Sequence, residues 1–66
     1  MKNTIKVQRA MKDLTQEDLA NRIGVSRQTI NSIEKGRYVP STLLALKMSQ
    51  LFGVPVNDFF ELEAND

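Results

Sequence analysis

Arg27, Gln28, Asn31, Ser32 and Lys35 have the types and spacing that can do chemistry in this chain. Arginine presents two N–H donors that match one edge of guanine, and glutamine or asparagine presents a donor beside an acceptor, which matches adenine. Each good pair gives about 1–3 kcal/mol of discrimination between bases. A helix turns by roughly 100° per residue. Gln28, Asn31, Ser32 and Lys35 therefore project away from the side that carries Ile30 and Ile33, with Arg27 at the N-terminal edge beside them. Taken alone, such a polar face reads first as a solvated helix surface. Catalysis has much less to work with: the chain has no His and no Cys, no glycine loop of phosphate-binding type, and no recognisable acid–base pair of carboxylates. An enzyme is not expected, and neither a metal nor a cofactor.

The elements that must position this face are specified locally. Thr15 followed by Asp18 is a variant of the capping box, so a helix starts at about Gln16, with Leu19, Ala20 and Ile23 along its buried side. Gly24 supplies the left-handed conformation that ends it, Val25 is the apolar residue of the turn, and Ser26 caps the next helix. That helix carries Ile30 and Ile33 inward and stops at Gly36. Two short helices joined by a tight turn form a helix-turn-helix, whose second helix enters the major groove of duplex DNA. The capped partner helix and the glycine turn favour that use of the polar face over the solvated one.

These residues resemble the Cro/C1-type helix-turn-helix regulators, or Xre family. The resemblance begins at Arg9. It runs through Leu14–Ala20, Gly24-Val25-Ser26, Ile30–Gly36 and Pro40-Ser41, and ends with Leu51–Val54 and Phe59-Phe60. It is nearest to small stand-alone regulators such as the cytolysin repressors of Gram-positive bacteria. The resemblance implies base reading by Arg27, Gln28 and Ser32, with Asn31 and Thr29 secondary near the groove wall. It also implies sugar-phosphate contacts by Gln16, Lys35, Arg37 and Tyr38, and a structural ion pair between Arg9 and Glu34. Gln8 departs from the family at a position that is usually apolar, and Pro55-Val56 is an unusual entry to the last helix.

A chain of 66 residues implies one domain, and so small a body is marginal unless its helices pack closely or it oligomerises. The net charge of +1 conceals an asymmetry. Residues 1–47 hold all nine Lys and Arg against four acids, a net +5, while the remainder holds four acids and no base, a net −4. The positive part carries the polar helix, as phosphate binding requires; charge scatter on an ordinary surface is the competing reading. With no apolar run long enough to span a bilayer and no leader-like segment, the expected location is the cytoplasm, away from membrane.

The expected architecture is all-α: a compact five-helix, lambda-repressor-like DNA-binding domain over residues 1–66. A first helix spans Thr4–Lys12 with Ile5, Val7 and Met11 as its apolar surface. A loop runs from Gly36 to Pro40, and a fourth helix follows Ser41, with Leu43, Leu44, Leu46, Met48 and Leu51 as core. After Gly53 a short fifth helix runs from about Pro55 to Phe60. Phe60-Glu61-Leu62-Glu63 alternates in a way that permits a strand paired with Met1–Asn3 or with its own copy. Phe59, Phe60 and Leu62 are expected to form a homodimer interface; closure of the monomer core is the alternative for either phenylalanine. A two-fold dimer would read an inverted repeat with recognition helices about 34 Å apart, and the expected function is repression of transcription. Two alternatives use the same features: an antitoxin or protein-binding adaptor of this fold, and a purely structural bundle that binds no DNA.

Overall fold

A computed structural model describes residues 1–66. In chain order it contains β1 (Lys2–Asn3), α1 (Ile5–Met11), α2 (Gln16–Ile23), α3 (Arg27–Glu34), α4 (Thr42–Phe52), a 3-10 turn (Val56–Asp58) and β2 (Phe60–Glu61). The expected count of five helices is corrected to four plus a small antiparallel strand pair. The segment after Gly53 closes only i→i+3 bonds, Asp58 N to Pro55 O and Phe59 N to Val56 O. The chain then leaves this turn because Phe60 pairs with Asn3 and Glu61 with Lys2. Of the two partners open to the alternating segment, its own N-terminus is the one it takes. No helix is long and apolar enough to cross a membrane.

The helix starts follow the caps read from sequence. Thr15 Oγ1 accepts from Asp18 N at 3.0 Å while Asp18 Oδ2 accepts from Thr15 N at 3.0 Å, a complete capping box. Ser26 and Ser41 accept from Thr29 N and Leu44 N. The ends of α1 and α3 share one device. After α3, Gly36 N donates to Ile33 O and Arg37 N to Ser32 O, with Gly36 at φ 73°. After α1, Asp13 N donates to Ala10 O and Leu14 N to Arg9 O, with Asp13 at φ 55°. Both are Schellman closures that satisfy carbonyls left open at a helix end. Asp13 fills the left-handed position that glycine usually takes, one that short polar side chains tolerate.

Leu19, Ala20 and Ile23 of α2, Ile30 and Ile33 of α3, and Leu44, Met48 and Phe52 of α4 join Ile5, Phe59 and Phe60 in one core. Phe59 meets Phe52 edge-on, centroids 5.2 Å apart, and lies 5.1 Å from Phe60. The pairs that fix α2 against α3 are therefore buried as their spacing predicts. Four expected apolar positions are corrected: Leu43 is 64% exposed and Leu46 54%, and Val7 and Met11 are also exposed. Leu43 and Leu46 lie on the side of α4 that also carries Thr42, Lys47 and Gln50, opposite the stripe of Leu44, Met48 and Phe52. Helix α1 touches the core chiefly through Ile5, which is completely buried.

Candidate nucleic-acid interface

Helix α3 stands as a ridge between two shallow depressions. On one side Ser26, Gln28, Thr29, Ser32, Arg37 and Tyr38 line a common surface. On the other lie Asn3, Lys6, Arg9, Gln16, Asn31, Glu34 and Lys35. Gln28 and Arg27 are exposed at the first turn, whereas Asn31 and Ser32 are half-buried where the ridge meets its flanks. The residues singled out from sequence thus separate into two groups. Gln28, Thr29 and Ser32 sit with Arg37 and Tyr38; Gln16, Asn31 and Lys35 sit together across the helix; Arg27 heads the ridge, lining neither.

The turn that follows α3 explains how Arg37 reaches the same surface as Gln28. Arg37 N is bonded back to Ser32 O at 2.9 Å, so the chain folds over the end of α3 instead of running on along its axis. Thr29 is held differently, its hydroxyl 2.9 Å from that of Ser26. This places Thr29 at the base of the depression, half-buried, with Gln28 more exposed beside it.

Across the ridge a hydrogen-bonded network sets the side chains. Arg9 Nε and Nη2 donate to Glu34 Oε2 and Oε1 at 2.6 and 3.1 Å, and Arg9 Nη1 donates to Leu14 O at 2.9 Å. This forked geometry is the strong form of an arginine–carboxylate pair. The Arg9 guanidinium is raised above its ordinary pKa, first by its hydrogen bonds to Glu34 and then by the attraction of that carboxylate, against the opposing effect of burial. Their side chains are only 13% and 9% exposed, which makes the pair a link from α1 to α3 within the structure. Gln16 Nε2 donates to Glu34 Oε1 at 3.2 Å, and Gln16 Oε1 accepts from Asn31 Nδ2 at 3.4 Å. One of the two amide N–H donors of Gln16 is therefore occupied.

Two flanking residues, Asn3 and Lys6, were not singled out from the sequence. Asn3 donates from Nδ2 to Ile33 O at 2.8 Å and accepts from Ile5 N at 3.3 Å, tying β1 to the end of α3. Nothing in the sequence marks Asn3, because its partner is thirty residues away. Lys6 carries a weak signal: it precedes Arg9 by three positions and so shares its face of α1. At the other end of the chain Phe59 and Phe60 are 2% and 8% exposed and belong to the monomer core, while Leu62 is 75% exposed. For Phe59 and Phe60 the alternative of core closure holds and their place in the expected interface is corrected, since both rings are closed in by Phe52 and their neighbours; Leu62 alone of the three stays on the surface. No group of acidic, His or Cys side chains is placed to hold a metal ion.

A family model described as Helix-turn-helix matches residues 5–59. An uncharacterized HTH-type transcriptional regulator of Methanocaldococcus jannaschii is 54% identical over 66 residues, covering 100% of both chains. The cryptic phage CTXphi transcriptional repressor RstR of Vibrio cholerae is 40% identical over 48 residues, covering 73% of this chain and 43% of the repressor. Among solved structures, the restriction-modification controller protein C.AhdI from Aeromonas hydrophila superposes with a TM-score of 0.75 at 27% identity, covering 85% of each chain. With its helix-turn-helix built from α2, the Gly24 turn and α3, the chain belongs to the Cro/C1-type (Xre) family of DNA-binding transcriptional regulators.

Proposed function

We propose that residues 1–66 act as one DNA-binding domain that represses transcription by occupying an inverted-repeat operator as a homodimer. The observation that carries this reading is the α3 ridge, with Arg27, Gln28 and Ser32 on it and Arg37 and Tyr38 beside it. An α-helix about 10–12 Å across fills a major groove about 12 Å wide, which leaves the ridge against base edges and the flanks against the two phosphate backbones. Arg27, Gln28 and Ser32 then read bases, with Asn31 secondary. Thr29, Lys35, Arg37, Tyr38 and the remaining amide N–H of Gln16 hold the sugar-phosphate chain and set the register. Repression needs no reaction, since a bound dimer excludes polymerase from the promoter. The similarity to RstR, a transcriptional repressor, supports the direction of regulation.

Because Phe59 and Phe60 lie in the core, Leu62 alone remains of the C-terminal interface, and the main dimer contact is placed on the outer side of α4. Leu43 and Leu46 project there one turn apart, with exposed Val39 just before the helix. A second copy of the chain offers the same apolar strip, as a two-fold contact requires. Selection of bound fragments from random DNA tests the whole reading. Recovery of a palindromic motif with half-sites about one helical turn apart is expected; failure to retain any duplex in dilute salt overturns it. For the dimer, L43E/L46E should sediment as a folded monomer and lose operator affinity, and an unchanged dimer would overturn the α4 assignment.

A further inference from the structure

We propose that Lys6 and Lys35 form a phosphate seat for the DNA strand on the α1 side of the recognition helix, with Lys6 as a backbone anchor. This rests on the DNA-binding reading above and extends it to a residue outside the helix-turn-helix. Lys6 of α1 and Lys35 at the end of α3 line the same depression, which has no apolar side chain in its wall. Both are exposed, and neither takes part in an ion pair. The carboxylate in that depression, Glu34, is held by the fork of Arg9 and by Gln16. Its charge is thereby matched; Glu63, which lines a neighbouring depression with Lys35, is paired with the N-terminal ammonium at 3.1 Å, so neither lysine has a carboxylate as its ion-pair partner.

The placement fits one strand of a duplex and not a compact anion pocket. A helix in the major groove has a phosphate backbone on each side. Arg37 and Tyr38 flank α3 on one side, and Lys6 and Lys35 flank it on the other. The amide of Gln16, at the start of α2, lines the same depression, with one donor still free. A phosphate there meets two ammonium groups and an amide N–H. Such contacts position a protein on DNA without choosing its sequence.

The test is the salt dependence of binding to a random-sequence duplex several helical turns long, measured for the full chain. Each neutralised phosphate contributes about 0.9 to the slope of log affinity on log salt. K6Q should lower that slope by about 0.9, so that a fourfold rise in salt weakens it about 3.5-fold less than the wild type. K6R should restore the slope. The control is R22Q, which removes the same charge from a separate depression that Arg22 lines with Lys47 and Gln50; its slope should stay near that of the wild type. A K6Q slope equal to that of the wild type, or an equal drop in R22Q, overturns the seat and leaves the DNA reading standing. A wild-type chain that binds no duplex overturns both. Because the Lys6 side chain is exposed and unpaired, K6Q should retain the far-ultraviolet circular dichroism and melting profile of the wild type.

Discussion

Replacing Glu34 with alanine would remove the acceptor on which α1, α2 and α3 converge. Arg9 would lose two of its three hydrogen bonds, at 2.6 and 3.1 Å, and keep only that to Leu14 O. Gln16 would lose its donor contact at 3.2 Å. Breaking a buried ion pair from one side costs about 3–5 kcal/mol, because the remaining charge stays out of water without a partner. The side chains here are 13% and 9% exposed, so the lower end applies, about 3 kcal/mol. Native stability of roughly 0.05–0.15 kcal/mol per residue gives about 3–10 kcal/mol for a chain of this length. The substitution therefore removes a third or more of the total. At 4–8 °C per kcal/mol for a small domain, Tm should fall by about 12–24 °C. Thermal unfolding followed by circular dichroism at 222 nm reads this directly. The paired replacement R9M/E34L should recover much of the loss, since similar volume is kept and no charge is left buried. A fall in Tm of less than about 4 °C for E34A, or a double variant no more stable than the single one, would refute the structural role of the pair.

Four further outcomes are expected. Q28A should lower preference for the selected operator by about 1–3 kcal/mol while leaving random-sequence binding nearly unchanged, whereas R37A should weaken all sequences alike; competition binding on both duplexes separates them, and equal effects would remove the division of roles. T15A should cost about 0.5–2 kcal/mol in chemical denaturation through loss of the α2 cap. The Asp18 carboxyl in that cap is held below its ordinary range, first by the backbone N–H of Thr15 and then by its hydroxyl. Its contribution is therefore complete above the unfolded value of about 3.8 and is lost as pH falls through the lower folded value; wild-type and D18N denaturation curves should converge there. F59A should cost about 3–5 kcal/mol in chemical denaturation, while L62A should stay within about 0.5 kcal/mol of the wild type. Comparable losses would contradict the burial of one and the exposure of the other.

The helix-turn-helix was readable from the residues because its determinants are local. The Thr15–Asp18 box, the Gly24 turn, the Ser26 cap and the Ile30–Ile33 spacing each act within a few positions. The polar ridge followed from the same geometry, since burying Ile30 and Ile33 leaves Gln28 and Ser32 on the other side. The Arg9–Glu34 pair had a different source: resemblance to the family named it, and distance and burial established it.

Position along the chain could not decide what depends on distant neighbours. Phe59 and Phe60 became core because Phe52 and Ile5 leave room that no local pattern announces, and the expected fifth helix gave way because Asn3 offers Phe60 a strand partner. In α4 the spacing of Thr42, Lys47 and Gln50 already marks an outer side, but the weight of its leucines obscures it, and contact with α2 and the terminal turn settles Leu44 inward and Leu43 and Leu46 outward. Lys6 and Lys35 are brought to one surface by the Arg9–Glu34 link between α1 and the end of α3. Capping and helical period are properties of neighbouring residues and survive in a linear reading; burial, and the meeting of charges far apart in sequence, exist only once the chain has closed on itself.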